Sequence, residues 1–534
     1  MRSSRVCRPF AGSLLAGLFV TPAAEAIVTL TDEIEIEGFV NLQNAVREPR
    51  FESAELVMQR NTAQIEGKYY FLKDSTAFGR FHTGRLEEAT LTIVGRGVYD
   101  SVYDIRGSYS DAFEHDRHHP GEAEVKLREA FIDFLLPPFT LRLGRQQVVW
   151  GETDNFRALD AINPLDLSWH WSWESWEDIR IPLWMARGVY DIGKLGPFDE
   201  SFVEAVYIPW DVQHNRISTD PRRPWALHGA GLRKNANTVI IDGQALDLDL
   251  RVHDGSPSRR FENGQAGMRF KAIWGDVEFS LNYFYGYSAD TRARFQADRS
   301  GVVGGRFHAE YVTENPRTHL LGFTANYSDE KYTQAVFRME TVFTTGVPVA
   351  IDAAAPRAVD PDGDQFDEAR RTVLMLAVDR PTWIRWLNDQ RTFFLSTQIF
   401  WRHYLDWSAF YRGIPAVEQA VLNGQVLPGR FISTNTDRID QNEFVMTFSA
   451  STSYGAAGLL QPRFVLAYDP RSTGAYNQLG FDYLLSKHIQ LRLQQNLFWR
   501  VNGDSIGPWQ LGDLWGHSSG NSRHETVFSL IYQF

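Results

Sequence analysis

The stretch 489–500 reads IQLRLQQNLFWR. Ile489, Leu491, Leu493, Leu497 and Trp499 share one parity, and Gln490, Arg492, Gln494, Asn496 and Arg500 share the other. Successive side chains of a strand point to opposite faces, so this is a strand with one apolar and one polar side. The alternation runs about twice as long as the usual strand of roughly 5–6 residues. A strand tilted across a bilayer needs about 9–11 residues of this kind. The pattern returns at 392–402, where Phe393, Leu395, Ile399 and Trp401 oppose Ser396, Gln398 and Arg402. It returns again at 331–343 (Phe337, Met339 and Phe343 against Gln334, Arg338 and Glu340) and at 266–274 (Met268, Phe270 and Trp274 against Arg269 and Lys271). Residues 279–287 stack Phe279, Leu281, Tyr283, Tyr285 and Tyr287 on one side.

The chain ends in the same way, on HETVFSLIYQF. Phe528, Leu530, Tyr532 and Phe534 share a parity, while Val527 and Ile531 interrupt the polarity of the other. A terminal aromatic on such a strand resembles the signal by which outer-membrane barrels are recognised by the barrel assembly machinery. Tight connections at 275–276, 329–330 and 486–487 contrast with long polar ones at 210–263, 345–368, 406–440 and 501–523. Short turns at one end and long loops at the other are the asymmetry of a membrane barrel, and Tyr283, Tyr285, Tyr287, Trp401 and Trp499 suit its aromatic girdles. The predicted fold is therefore all-β: a transmembrane antiparallel β-barrel of the bacterial outer membrane with roughly 16–18 strands. A soluble periplasmic β protein would need a partner sheet for each one-sided strand; a closed barrel needs none, because closure satisfies every backbone group.

The N-terminus agrees with export. Arg2, Arg5 and Arg8 precede an apolar run from Phe10 to Val20, and Ala24-Glu25-Ala26 forms a small-x-small cleavage pattern. Residues 1–26 are expected to be a signal peptide, leaving 27–534 as a single barrel domain. The run is short for a membrane anchor, which takes roughly 20 residues. The single cysteine, Cys7, lies within the signal, so no disulfide is expected. The formal charge of −12 grows more negative when the signal's three arginines and one glutamate leave. That balance argues against a nucleic-acid partner.

One region departs from plain strands. After Pro137-Pro138, a strand from Leu141 to Val149 meets Gly151, and the next strand waits until about Pro182. The runs LREAFIDF, LGRQQVVWGE, DAINPLDLSW and EDIRIPLWMARG resemble the signature of a family of uncharacterised proteobacterial outer-membrane barrels, known only as a domain of unknown function. Genes of that family are associated with a periplasmic lipoprotein-like partner and with RND (MmpL-type) lipid exporters. The resemblance, over 127–187, implies transport, or support of transport, of an apolar or amphipathic molecule. It carries no catalytic residue.

Residues 145–178 are the candidate inward or rim segment. Asn163-Pro164 marks a turn. Trp150, Glu152, Asn163, Trp169, Trp171, Trp173 and Trp176 are the gate or rim candidates. The tryptophans make either a stacking platform for a ligand or an interfacial belt that anchors a loop at the headgroups. Arg145 and Gln146 either line the lumen or satisfy irregular backbone. By alternation, the lumen also receives Arg142, Arg269, Lys271, Arg338, Arg402, Arg492 and Arg500, against few carboxylates such as Glu340. Rings of arginine and lysine favour anions. The competing reading is that these cations pair with loop carboxylates and fill the interior.

Weaker patterns carry less. GHSSG at 516–520 matches a hydrolase nucleophile motif but sits in a polar loop instead of a strand–turn–helix. EHDRHH at 114–119 and DPDGDQFDE at 360–368 read as solvated outer loops, the latter able to meet divalent ions among lipopolysaccharide. No cofactor, metal or catalytic site is expected. The sequence reads as a channel or transport accessory for an amphipathic, lipid-like or anionic compound, in contact with outer-membrane lipid and lipopolysaccharide. A periplasmic lipid-carrier protein and an RND exporter are the partners the resemblance implies. The alternatives are an outer-membrane lipid hydrolase and a non-conducting docking barrel.

Overall fold

A computed structural model describes residues 28–48, 54–106, 122–170, 174–217, 238–241, 244–352, 355–412, 416–422, 425–434, 438–501, 509, 511 and 524–534. Residues 1–26, the expected signal, lie outside that set. The architecture is a closed antiparallel barrel of 18 strands. The first nine are β1 (Ile34–Arg47), β2 (Glu55–Lys73), β3 (Glu88–Asp100), β4 (Ala123–Leu136), β5 (Phe139–Gln146), β6 (Leu183–Asp191), β7 (Glu200–Ile208), β8 (Gln265–Trp274) and β9 (Val277–Tyr287). The second nine are β10 (Arg317–Asp329), β11 (Ala335–Ile351), β12 (Phe366–Thr382), β13 (Phe393–Tyr404), β14 (Asn442–Ser451), β15 (Leu460–Asp469), β16 (Gly474–Leu484), β17 (Ile489–Arg500) and β18 (Glu525–Gln533). Each pairs with its neighbour in the chain, and β18 returns to β1 with Phe39 opposite Gln533 and Arg47 opposite Glu525. At the seam Phe534 N–H donates to Gly38 O (3.0 Å) and Gly38 N–H to Phe534 O (2.8 Å).

The alternation sorts the faces as the sequence requires. On β18, Phe528 and Tyr532 are 44% and 46% exposed on the outside, while Val527, Ser529 and Ile531 are buried inside. On β12, Leu376 and Val378 face out, and Met375, Ala377 and Asp379 are buried within. An outer wall of exposed Leu, Ile, Val and aromatic side chains over a polar interior is stable only against lipid. At the end that carries both termini most connections are short, as at 137–138, 275–276 and 485–488, with 74–87 the exception in length. At the other end lie the longer ones: 101–122, 147–182, 209–264, 288–316 and 405–441.

Two connections expected as loops are structured. Much of 345–368 is a continuation of the β11–β12 hairpin, with Val347 opposite Ala369 and Ala350 opposite Phe366. Val347, Val349 and Ile351 are buried there against Tyr404, Tyr411 and Ile439, so apolar packing extends the strands past the membrane band. Residues 238–254 and 292–314 form a separate five-stranded sheet at the long-loop end, with Gln244–Asp254 parallel to Arg306–Glu314. The strand expected at 331–343 begins at Ala335, because Asp329 accepts N–H groups of Tyr332 (3.0 Å) and Thr333 (2.9 Å) and folds 330–334 into a turn.

Candidate functional site

β5 stops at Gln146 and β6 starts at Leu183. The described residues of 147–182 meet inward-facing side chains of β2, β3, β4, β7, β8, β11, β13 and β18. A segment that touches the inner wall on so many sides of a closed ring lies inside the bore.

Its first half is fixed by packing. Trp150 is 1% exposed and belongs to an apolar cluster with Val148, Leu159, Ile162, Val206, Phe284 and Leu320. Two wall glycines make room. A Cβ at Gly267 would come within 2.7 Å of Trp150 Cη2, and one at Gly322 would strike Leu159. On the far wall, Phe156 meets Phe400 and Trp509 edge-on, with ring centroids 5.6 and 5.1 Å apart.

Polar contacts set the register of that packing. The Glu340 carboxylate on β11 accepts the N–H groups of Glu152 (2.6 Å) and Leu159 (2.5 Å), one on each oxygen. Arg338 pairs with Asp154 at 2.7 Å, and Gln398 donates to the same carboxylate at 2.8 Å. Trp150 Nε1 donates to Glu204 at 3.2 Å. Asn163 is fully buried; it accepts Val148 N–H (2.8 Å) and donates to Ile181 O (2.9 Å), tying the two ends of the segment together.

The second half is held by charge. Glu174 pairs with Arg60 of β2 at 2.6 Å. His170 lies between Glu174 (Nδ1 to Oε1, 2.5 Å) and Glu525 of β18 (Nε2 to Oε1, 3.1 Å). Asp178 pairs with Arg96 of β3, and Arg128 of β4 donates to the Arg180 carbonyl at 3.0 Å. Burial opposes the charged form of His170, but Glu525 and Glu174 outweigh it and push the imidazole up to about 9. Burial likewise opposes the Glu174 carboxylate, and Arg60 and His170 outweigh it, holding it at about 2. The segment therefore carries an imidazolium between two carboxylates at neutral pH. Between this half and β1–β4 there remains a cavity of about 70 Å³, lined by Phe39, Arg60, Arg96, Trp169 and Ile179 among others.

The rim candidates fall unevenly. Trp150, Glu152 and Asn163 are the anchors just described. Trp169 is buried beside the cavity, and Trp176 donates to Asp154 O at 2.7 Å. Both lie within the bore, so the headgroup-belt reading does not apply to them. Trp171 and Trp173 lie outside the described residues, as do Ser518 of GHSSG and the EHDRHH run. Phe528, Leu530, Tyr532 and Phe534 stand on the lipid side or at the seam of β18.

The lumen candidates need correction. Five of the expected inward cations have carboxylate partners supplied by the wall itself. Arg142 pairs with Asp133 (2.7 Å), Arg269 with Glu204 (2.7 Å), Lys271 with Glu278 (2.7 Å), Arg402 with Glu443 (2.9 Å) and Arg492 with Asp482 (2.7 Å). These carboxylates are on neighbouring strands, while Arg338 and Lys271 also reach the inserted connection at Asp154 (2.7 Å) and Glu152 (3.7 Å). Arg145 is on the opposite parity from Arg142 and Gln146; it lies across from the exposed Trp184 and donates to Pro182 O at 3.2 Å. Gln146 is fully buried and donates to Met185 O at 3.2 Å. The Arg500 side chain lies outside the described set. Sequence reasoning missed His170, Arg60 and Arg96. The i, i+4 spacing of His170 and Glu174 was the available signal.

The family model described as "Protein of unknown function (DUF1302)" matches residues 82–532. No curated protein matches the chain. Among solved structures, Acinetobacter baumannii OccAB3 aligns at 10% identity and a TM-score of 0.43, covering 94% of this chain and 100% of that one. Salmonella typhi OmpF, in a complex with daunomycin, aligns at 9% identity and a TM-score of 0.38, covering 94% and 97%.

Proposed function

Because the chain belongs to this family of unknown function, which supplies no activity, we propose from the geometry that it is an outer-membrane channel or transport accessory whose passage runs between β1–β4 and residues 147–182. The observation that carries the reading is the asymmetry of the inserted segment. One half is packed into the wall by aromatic and aliphatic side chains; the other is held by ion pairs beside a residual cavity of about 70 Å³. A water needs about 10–15 Å³ of such space, so this cavity holds about five to seven waters. Passage of a larger solute requires the charged half to yield. The cargo suggested by the mixed lining of arginine, carboxylate, Trp169 and Phe39 is an amphipathic or anionic compound, supplied or received by a periplasmic lipid carrier and an RND exporter.

Single-channel recording in planar bilayers tests this. The protein is expected to show small, fluctuating steps that grow when Glu174 and Asp178 are neutralised. A second reading, a plugged docking barrel, is favoured by the contacts that the described part of the segment makes with opposite sides of the wall. Silence from correctly inserted wild-type and variant barrels alike would establish that reading and remove the channel.

A further inference from the structure

Arg60 and Arg96 stand on the inner faces of adjoining strands. Each has a wall partner independent of the inserted segment. Arg60 donates to Gln43 Oε1 at 2.6 Å and Arg96 to Gln64 Oε1 at 2.8 Å. The glutamines fix the direction of both guanidinium groups, so removal of Glu174 and Asp178 would leave two aimed forks, not two collapsed side chains. Apolar surface from Trp169, Phe39, Val98 and Ile179 borders the same cavity.

We infer that Arg60 and Arg96 form a binding site for an amphipathic carboxylate, and that Glu174 and Asp178 are internal stand-ins which the ligand's own carboxylate displaces. The inference rests on the channel reading and names its ligand class. Exchange of one carboxylate for another on the same guanidinium keeps the charge-assisted hydrogen bonds and so has little electrostatic cost. The displaced groups are not left bare. Glu174 retains His170, and the Asp178 side chain is already 44% exposed. The ligand's apolar portion then covers the part-exposed Phe39 beside the buried Trp169, a gain that the stand-ins do not offer.

A competing internal ligand lowers apparent affinity by the fraction of sites it leaves free, so removing it tightens binding. The test is equilibrium dialysis of labelled octanoate against the purified full-length barrel, with heat-modifiable migration as the folding control. The Glu174→Gln/Asp178→Asn double variant should bind octanoate about tenfold or more tighter than wild type. Arg60→Gln/Arg96→Gln should lose binding, and octyltrimethylammonium should not compete. Octyl sulfate competing as well as octanoate would replace the carboxylate by a general anionic amphiphile and overturn the ligand class. Unchanged affinity in either folded double variant would overturn the site. Bilayer recording of the same preparations separates the two claims. Conductance with failed octanoate binding sinks only this inference; silence with intact binding sinks only the channel.

Discussion

Glu340→Gln is the sharpest probe of what holds the inserted segment. The wild-type carboxylate uses one oxygen for each of two N–H donors, at 2.6 and 2.5 Å. An amide of the same shape keeps one acceptor and turns an NH₂ toward the second donor. One backbone N–H is then left buried against another donor, at a cost of about 1–3 kcal/mol. That cost falls on the docked state of 147–162 and not on the barrel, whose ladder hydrogen bonds are untouched. The docked-to-released ratio should fall about 5- to 150-fold. Hydrogen exchange read on peptides covering Glu152 to Leu159 should quicken by that factor while strand peptides keep their protection. Bilayer recordings should show more frequent large steps. If the 152–159 amides exchange as slowly in Glu340→Gln as in wild type, the staple is not what holds the segment, and the division into an anchored and a latched half loses its basis.

The remaining predictions concern the latch, the wall and the seam. The His170 imidazole is raised from its ordinary value of about 6.5 to about 9. A raised group stabilises fully below its unperturbed value and loses that contribution as pH rises through the raised one, here on the order of 3 kcal/mol. Conductance should therefore increase between pH 7 and pH 10, and His170→Gln should conduct more at pH 7 and lose the alkaline rise; a flat wild-type profile would refute the latch. Gly322→Val places a branched side chain on Leu159 and should cost the docked segment about 1–3 kcal/mol, visible as trypsin cleavage within 147–162 in a barrel that still shifts on heating. Deletion of Phe534 removes both hydrogen bonds to Gly38, each worth about 0.5–1.5 kcal/mol, and should lower the yield of heat-modifiable barrel.

Legibility followed the strength of the local pattern. β17 and β13 were readable nearly to their ends, because a single lipid-facing side forces alternation and nothing in the chain competes with it. β11 was misplaced at both ends, since the Asp329 turn and the apolar extension 347–351 depend on contacts made only after folding. The inward segment was visible as an interruption: Gly151, Asn163 and the clustered tryptophans break the strand period. Its direction was not, because entry into the bore is decided by Gly267 and Gly322 on distant strands. The partners of the inward cations were the least legible part. Alternation placed Arg269, Arg402 and Arg492 inward, yet Glu204, Glu443 and Asp482 are inward by the same rule on strands whose weaker pattern hid them. Which cation faces which carboxylate is a matter of strand neighbours, and those become known only when the barrel closes.

The two halves of the segment differ in what could replace their contacts. Trp150, Phe156 and Leu159 fill spaces shaped by glycines and aromatic rings on the wall, and no small solute reproduces that fit. Glu340 bonds backbone amides, which a passing molecule cannot offer in the same geometry. Glu174 and Asp178, in contrast, supply only a carboxylate to a guanidinium, and any carboxylate of matching reach does the same. Breaking a buried ion pair is costly when it leaves a charge unpaired, but a ligand carboxylate that replaces Glu174 or Asp178 leaves no guanidinium without a partner. The latch can therefore open at modest cost while the anchor stays in place. On the channel reading proposed above, such a barrel would resist solutes that lack a charged group for Arg60 or Arg96 and yield to those that carry one, and selectivity would reside in competition for the latch.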